Sequence, residues 1–140
     1  MADIPVELQG VCRKIYTTSK DLVSWRWDDR FQAALCELPA FESADFMNIL
    51  SDNFPYCWDS STIDSAPTRI RDLTREIGGI LEGQLIFASS SDNETPAIGA
   101  FWPWRNSEIV SVRVFPICSV APDRKDRTLY ESFKSWFGLC

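Results

Sequence analysis

Gly83-Gln84-Leu85-Ile86-Phe87-Ala88-Ser89, Ala97-Ile98-Gly99-Ala100-Phe101-Trp102-Pro103-Trp104 and Ile109-Val110-Ser111-Val112-Arg113-Val114-Phe115-Pro116-Ile117 succeed one another with only short polar segments between them. Apolar residues in these stretches recur with a period near two and are rich in β-branched and aromatic types, which marks strands. The separators, Ser90–Pro96 and Arg105-Asn106-Ser107, are made of residues that turn a chain. Connections this short join antiparallel neighbours, so the region predicts a three-stranded antiparallel sheet over about 83–117. Pro103 cannot donate to a ladder, which points to an edge strand or a bulge. Alternation sends Trp102 and Trp104 to the face opposite Phe101, where they either fill a core under helices or form an exposed aromatic ledge.

Upstream the periodicity is different. Pro5–Tyr16 reads as a short amphipathic helix with Val6, Val11, Cys12 and Ile15 near one face, broken by Thr17-Thr18-Ser19. Val23, Trp25 and Trp27 alternate with Ser24 and Arg26, so a strand near 22–27 can extend the sheet. Asp28 and Asp29 can cap a helix that starts after them, and Trp27, Phe31, Ala34, Leu35 and Leu38 fall at helical spacing up to Pro39. Ser43 caps a further helix with Phe46, Met47, Ile49 and Leu50 inward and Asn53 as its stop. Phe54–Ala66 is irregular. Pro67 suits a first helical turn, with Ile70, Leu73 and Ile77 at helical spacing until Gly78-Gly79. A last helix, from Asp123 or Asp126 to Phe137, places Leu129, Phe133, Trp136 and Phe137 on one face, with Thr128–Glu131 as a capping box. Helices first, then a meander, then a helix packed on the sheet: the class is α+β, in one globular domain spanning 1–140.

Composition removes whole classes of chemistry. There is no histidine, so Ser-His-Asp and Cys-His catalysis and ordinary His-containing metal sites are excluded. The five cysteines, Cys12, Cys36, Cys57, Cys118 and Cys140, are widely spaced and form no C-x-x-C pair, so reduced thiols are expected and zinc is not. The acids closest in sequence, Asp28-Asp29 and Glu42 with Asp45, lack a general base beside them, and no enzymatic activity and no cofactor are expected. No apolar run is long enough to span a bilayer. Met1–Glu7 lacks the basic and apolar regions of a secretory signal, so a cytoplasmic location is expected, and the Asn93-Glu94-Thr95 sequon is read as a turn.

Charge is the most informative feature. Residues 1–66 hold eleven acids against five bases, a net of −6, while residues 67–140 hold nine of each. Between Phe31 and Thr68 there is no Lys or Arg, yet Glu37, Glu42, Asp45, Asp52, Asp59 and Asp64 occur there, interleaved with Phe41, Phe46, Phe54, Tyr56 and Trp58. Such a stretch is either a solvated acidic face over core aromatics or a docking face for a cationic partner, its carboxylates steering association and its rings anchoring. The sign excludes nucleic acid as a ligand. Arg69, Arg71 and Arg75, and the Arg124-Lys125-Asp126-Arg127 run, lack a glycine-rich phosphate loop and read as solvated or paired with acids. The expectation is a small acidic protein-binding protein, an inhibitor of the immunity-protein type that blocks a basic toxin or enzyme. Its candidate partner-binding residues are Glu42, Asp45, Asp52, Tyr56, Trp58, Asp59 and Asp64. The alternatives are a secretion chaperone or assembly subunit binding an effector segment along an exposed edge of the 83–117 sheet, and a small-molecule or glycan module using Trp102 and Trp104.

Overall fold

The 83–117 region forms the expected meander, and the meander is the middle of a larger sheet. The structure, a computed structural model, describes residues 6–89, 97–104, 108–116 and 127–139, with backbone alone at 6–7 and 127–130. Helix α1 (Val6–Ser19) leads to strands β1 (Arg26–Asp28) and β2 (Ala33–Pro39), a 3₁₀ turn (Ala40–Glu42), helix α2 (Ser43–Asn53) and strand β3 (Tyr56–Trp58). Next come a second 3₁₀ turn (Ile63–Ser65), helix α3 (Thr68–Glu76), strands β4 (Leu85–Ala88), β5 (Ala97–Pro103) and β6 (Ile109–Pro116), and helix α4 (Arg127–Trp136). The strands form one antiparallel sheet in the order β1-β2-β6-β5-β4-β3. The class is α+β with an antiparallel sheet, but the described sheet has six strands where the sequence predicts three, or four with the extension near 22–27.

Each added strand has a physical reason for escaping the sequence pattern. The Trp27–Leu38 stripe, helical by its spacing, is the β1–β2 hairpin. Ala33–Cys36 are all buried because β2 lies inside the sheet, so polar residues do not alternate with apolar ones. Asp28 does act as a cap, its Oδ1 accepting from the backbone N–H of Arg30 at 2.9 Å, but it closes a turn rather than starting a helix. β3 is only three residues long, too short to show a period. Helix α1 runs through Thr17-Thr18-Ser19 because the hydroxyls of Thr18 and Ser19 donate back to the carbonyls of Lys14 and Ile15 instead of breaking the turn. Pro103 is the last residue of the central strand β5, opposite Val110, and lies beyond the end of β4, whose pairing stops at Phe101, so on that side it is at a local edge and its missing N–H leaves no ladder bond unmade. Helix α4 is ten residues long. The turns at Ser90–Pro96 and Arg105–Ser107, the Asn93 sequon, Cys118, Cys140, residues 123–126 and the side chains of Val6, Arg127, Thr128 and Leu129 lie outside the described residues.

Alternation divides the sheet between two cores. One face carries Cys36 and Leu38 of β2, Val110, Val112 and Val114 of β6 and Phe101 of β5, packed with Ile15 of α1, Phe46 and Leu50 of α2 and Phe133 and Phe137 of α4. Trp25 sits among them, its ring centroid 6.0 Å from Phe46 and 4.7 Å from Phe137, and its indole N–H donates to Ser19 Oγ at 3.0 Å. The other face carries Ile86, Ala88, Ile98 and Ala100, and α3 covers it through Ile70. No described helix is long and apolar enough to cross a membrane.

This packing has two measurable consequences. A Cβ on Gly99 would stand 3.1 Å from Cε2 of Phe54, so the missing side chain makes room for that ring against β5. Gly99→Val therefore loses about 1–3 kcal/mol in urea unfolding by overpacking. Burial raises the pKa of Cys12 and Cys36, and to some degree of Cys57, but of these three only Cys57 is exposed, on its edge strand. A thiol reagent with subsequent peptide mapping should modify Cys12 and Cys36 at least about a thousandfold more slowly than Cys57, because they must await unfolding.

Candidate functional site

The end of the sheet where β2 and β5 stop and β6 starts presents the most exposed large apolar side chain among the described residues. Pro39 closes β2, the N–H of Ala40 carries the ladder one residue further by donating to the Glu108 carbonyl at 2.8 Å, and the 3₁₀ turn follows, closed by the Ser43 N–H on the Ala40 carbonyl. Phe41 falls in that turn, outside the inward stripe of Phe46 and Leu50, and is 85% exposed. On the far side of β6, the Trp104 N–H donates to the Ile109 carbonyl at 2.8 Å and its indole N–H to Ser111 Oγ at 2.7 Å, with 44% of the residue exposed. With strands about 4.8 Å apart, Ala40 and Trp104 flank the start of β6 within roughly 10 Å of each other.

Acids follow Phe41 in the chain and stand across the sheet from the residue before it. Glu42 precedes the first turn of α2 and Asp45 lies within it, where the helix dipole favours negative charge. Asp52 is seven residues beyond Asp45, so both fall on the exposed face of α2, about 10 Å apart along its axis. Glu108 is exposed beside Ala40. Glu37 is engaged at 3.1 Å by Arg26, a pair exposed enough to contribute little.

The remaining sequence candidates do not join this surface. Tyr56 and Trp58 stack on one face of β3, centroids 6.1 Å apart and 9° from parallel, and Trp58 packs against the core under α3. Asp59 is committed to its own turn: its Oδ1 accepts from the Ser61 hydroxyl at 2.7 Å, the Ser61 N–H at 2.9 Å and the Thr62 N–H at 3.0 Å. Those bonds, with the Ser61 hydroxyl the largest influence, hold its carboxyl below the usual range. Asp64 is exposed and lines a cleft against α3. The seven residues thus divide into Glu42 at the start of α2 with Asp45 and Asp52 on it, Tyr56, Trp58 and Asp59 on or next to β3, and Asp64 beside α3.

Behind the exposed end lies a charged clamp. The Arg113 Nε–H donates to Asp28 Oδ2 at 2.9 Å, with their side chains 17% and 12% exposed. The same guanidinium carbon lies 4.9 Å from the Phe31 ring centroid and 5.2 Å from that of Trp102. Trp102 is therefore half-buried in a cation–π cluster, and Trp104 alone of the two presents its ring. The β1–β2 turn is held down on the sheet by this cluster.

Compared with known proteins, the chain matches no family model, no curated protein and no solved structure. Its site is therefore defined by its own geometry. No group of three or more Cys, Asp or Glu side chains among the described residues could hold a metal ion. Phe41 and Glu108 lie at this end of the sheet, with Trp104 across β6 and its indole turned to the Ser111 face, although the sequence pattern does not place them in a site. A signal for Phe41 was present: it stands five residues before Phe46, off the helical stripe that Phe46 and Leu50 define, so α2 has no inward place for it.

The clamp has a titration signature. Burial pushes the Asp28 carboxyl up, but the Arg113 hydrogen bond and charge and the N–H groups of Arg30 and Phe31 outweigh it and leave the pKa lowered. Its contribution to stability is complete above the unfolded value of about 3.9 and is lost as pH falls through the lower folded value. Asp28→Asn should cost about 1.5–3 kcal/mol at pH 7, with the gap to the parent closing below about pH 4. A gap in denaturant unfolding that does not change with pH would assign the loss to packing instead.

Proposed function

We propose that this chain is a small binding protein that covers a basic patch on a protein partner and so blocks it, in the manner of an immunity-type inhibitor. The observation that carries this reading is Phe41, an almost fully exposed phenylalanine in a segment without a single base, with Glu42 and Asp45 just after it in the chain and Glu108 paired to the residue before it. An apolar ring that fills a pocket on a partner, inside a rim of carboxylates, is the arrangement in which one anchor supplies most of the affinity and charge supplies the encounter rate. Trp104, across β6, is the second anchor. Asp45 and Asp52 extend the acidic rim along α2. The free thiols of Cys12, Cys36 and Cys57 fit a reducing cytoplasm.

Strand addition draws no comparable support. The edges of the 83–117 sheet are taken by β2 and β3, and the outer strands of the described sheet, β1 and β3, are three residues each. A glycan ledge would need two free indoles, and Trp102 is held against Arg113.

The test is kinetic. The partner captured from the native host is expected to be a basic protein whose activity falls to zero at one equivalent of this chain. The double variant Glu42→Lys/Asp45→Lys should slow association at low salt, the difference shrinking as ionic strength rises. Phe41→Ala should instead speed dissociation and weaken binding by roughly 2 kcal/mol, about thirtyfold. Association that ignores both salt and charge reversal rules out the acidic face.

A further inference from the structure

We infer that the cleft between α3 and the 3₁₀ turn before it binds a small organic carboxylate, independently of the surface around Phe41. Gly78 and Gly79, both at positive φ, reverse the chain after α3 and bring Ile80 back against the helix. The resulting cleft is ≈ 190 Å³, with Ile63 and Ile80 as apolar walls, Arg71 and Arg75 on one side and Asp64 among its lining groups. A cavity of about 150 Å³ holds a benzene ring, so this one has space for a ring or short chain together with its acid group.

The arginines point to the ligand's charge. Arg71 and Arg75 are four residues apart on α3 and so share one face. Neither has a strong acid partner among the described residues. Arg75 meets Asp72 at 3.2 Å in a pair that is largely exposed, and such pairs contribute little. Among the described residues Arg71 donates only to the Thr68 hydroxyl at 3.1 Å, and its buried Nε–H meets no acceptor among them. A buried donor left unpaired is costly, and turning the guanidinium toward a bound carboxylate gives up one exposed hydrogen bond while relieving that donor. Guanidinium and carboxylate then meet in the bidentate geometry that makes such pairs strong. A neutral ligand would gain none of this, and a cation would meet two arginines against the single carboxylate of Asp64, which is exposed and leaves the lining net positive.

Titration of the full-length chain with sodium benzoate, and with benzamide as its neutral counterpart, monitored by nitrogen–proton correlation spectra, tests the site. Benzoate is expected to shift the Arg71 Nε–H and the backbone N–H groups of Gly79 and Ile80 saturably at millimolar concentration, and benzamide to bind at least about tenfold more weakly. Arg71→Gln should weaken benzoate by a further factor of about ten or more, and Arg75→Gln, whose side chain is mostly exposed, should weaken it severalfold without disturbing the remaining spectrum. The proposal is overturned by the absence of a saturable shift, by equal responses to benzoate and benzamide, or by shifts that survive undiminished in Arg75→Gln. Tighter binding of a peptide through its C-terminal carboxylate than of benzoate would reassign the cleft to a protein tail, and would also overturn it.

Discussion

Strand β6 comes back across the sheet to lie against β2, and the two halves of the molecule meet along that seam. Six residue pairs, from Ala34 with Val114 to Pro39 with Ile109, join parts of the chain up to 80 residues apart. Closing so long a loop costs only slightly more than closing one of half the length, because the entropy grows with the logarithm of length. The seam is covered on one face by α1, α2 and α4 and fastened on the other by Arg113, which reaches from β6 to Asp28 at the end of β1. An ion pair at this depth gives a net gain only when its remaining bonds are also satisfied. Here Asp28 also accepts from the N–H groups of Arg30 and Phe31, and Arg113 stacks on Phe31 and Trp102. The clamp thus fixes the β1–β2 turn and the indole next to the exposed end together.

The same seam determines how much could be read from the residues alone. Strands β4, β5 and β6 were legible because their residues and their polar separators state a meander locally. Strand β2 was not, because a strand buried on both faces loses its alternation, and Ala33-Ala34-Leu35-Cys36 then fits a helical stripe as well as a strand. No window contains both Asp28 and Arg113, 85 residues apart, so their pairing could not be inferred from sequence. Thr18 and Ser19 look like helix breakers until their hydroxyls are seen to bond backward, with Ser19 also receiving the Trp25 indole.

For the candidate site, sequence showed the sign of the charge and not its layout. The base-free stretch from Phe31 to Thr68 is one segment in the chain but three places in space, because it runs from β2 along α2 to the opposite edge of the sheet. Asp59 drops out because its carboxylate is occupied by its own turn, and Asp64 because it belongs to the cleft beside α3. The three that remain together are Glu42, which stands at the start of α2, and Asp45 and Asp52 along it, and the ring that gives them a focus is Phe41, one residue before the first of them. The topology groups what the linear order separates: Glu108 and Trp104 reach the same end only because β5 and β6 are paired there.

The six tryptophans are graded from core to surface. Trp25 and Trp136 are buried, Trp27, Trp58 and Trp102 are half-buried, and Trp104 is exposed. An indole in an apolar core emits at shorter wavelength than one in water, and a dissolved quencher reaches the second far more readily. The protein therefore carries its own optical probes. The red, quenchable part of its emission comes from Trp104 at the exposed end of the sheet, and the blue, protected part reports on the core between α1, α2 and α4. Docking at one end and loosening of the other are distinguishable by colour, without any label.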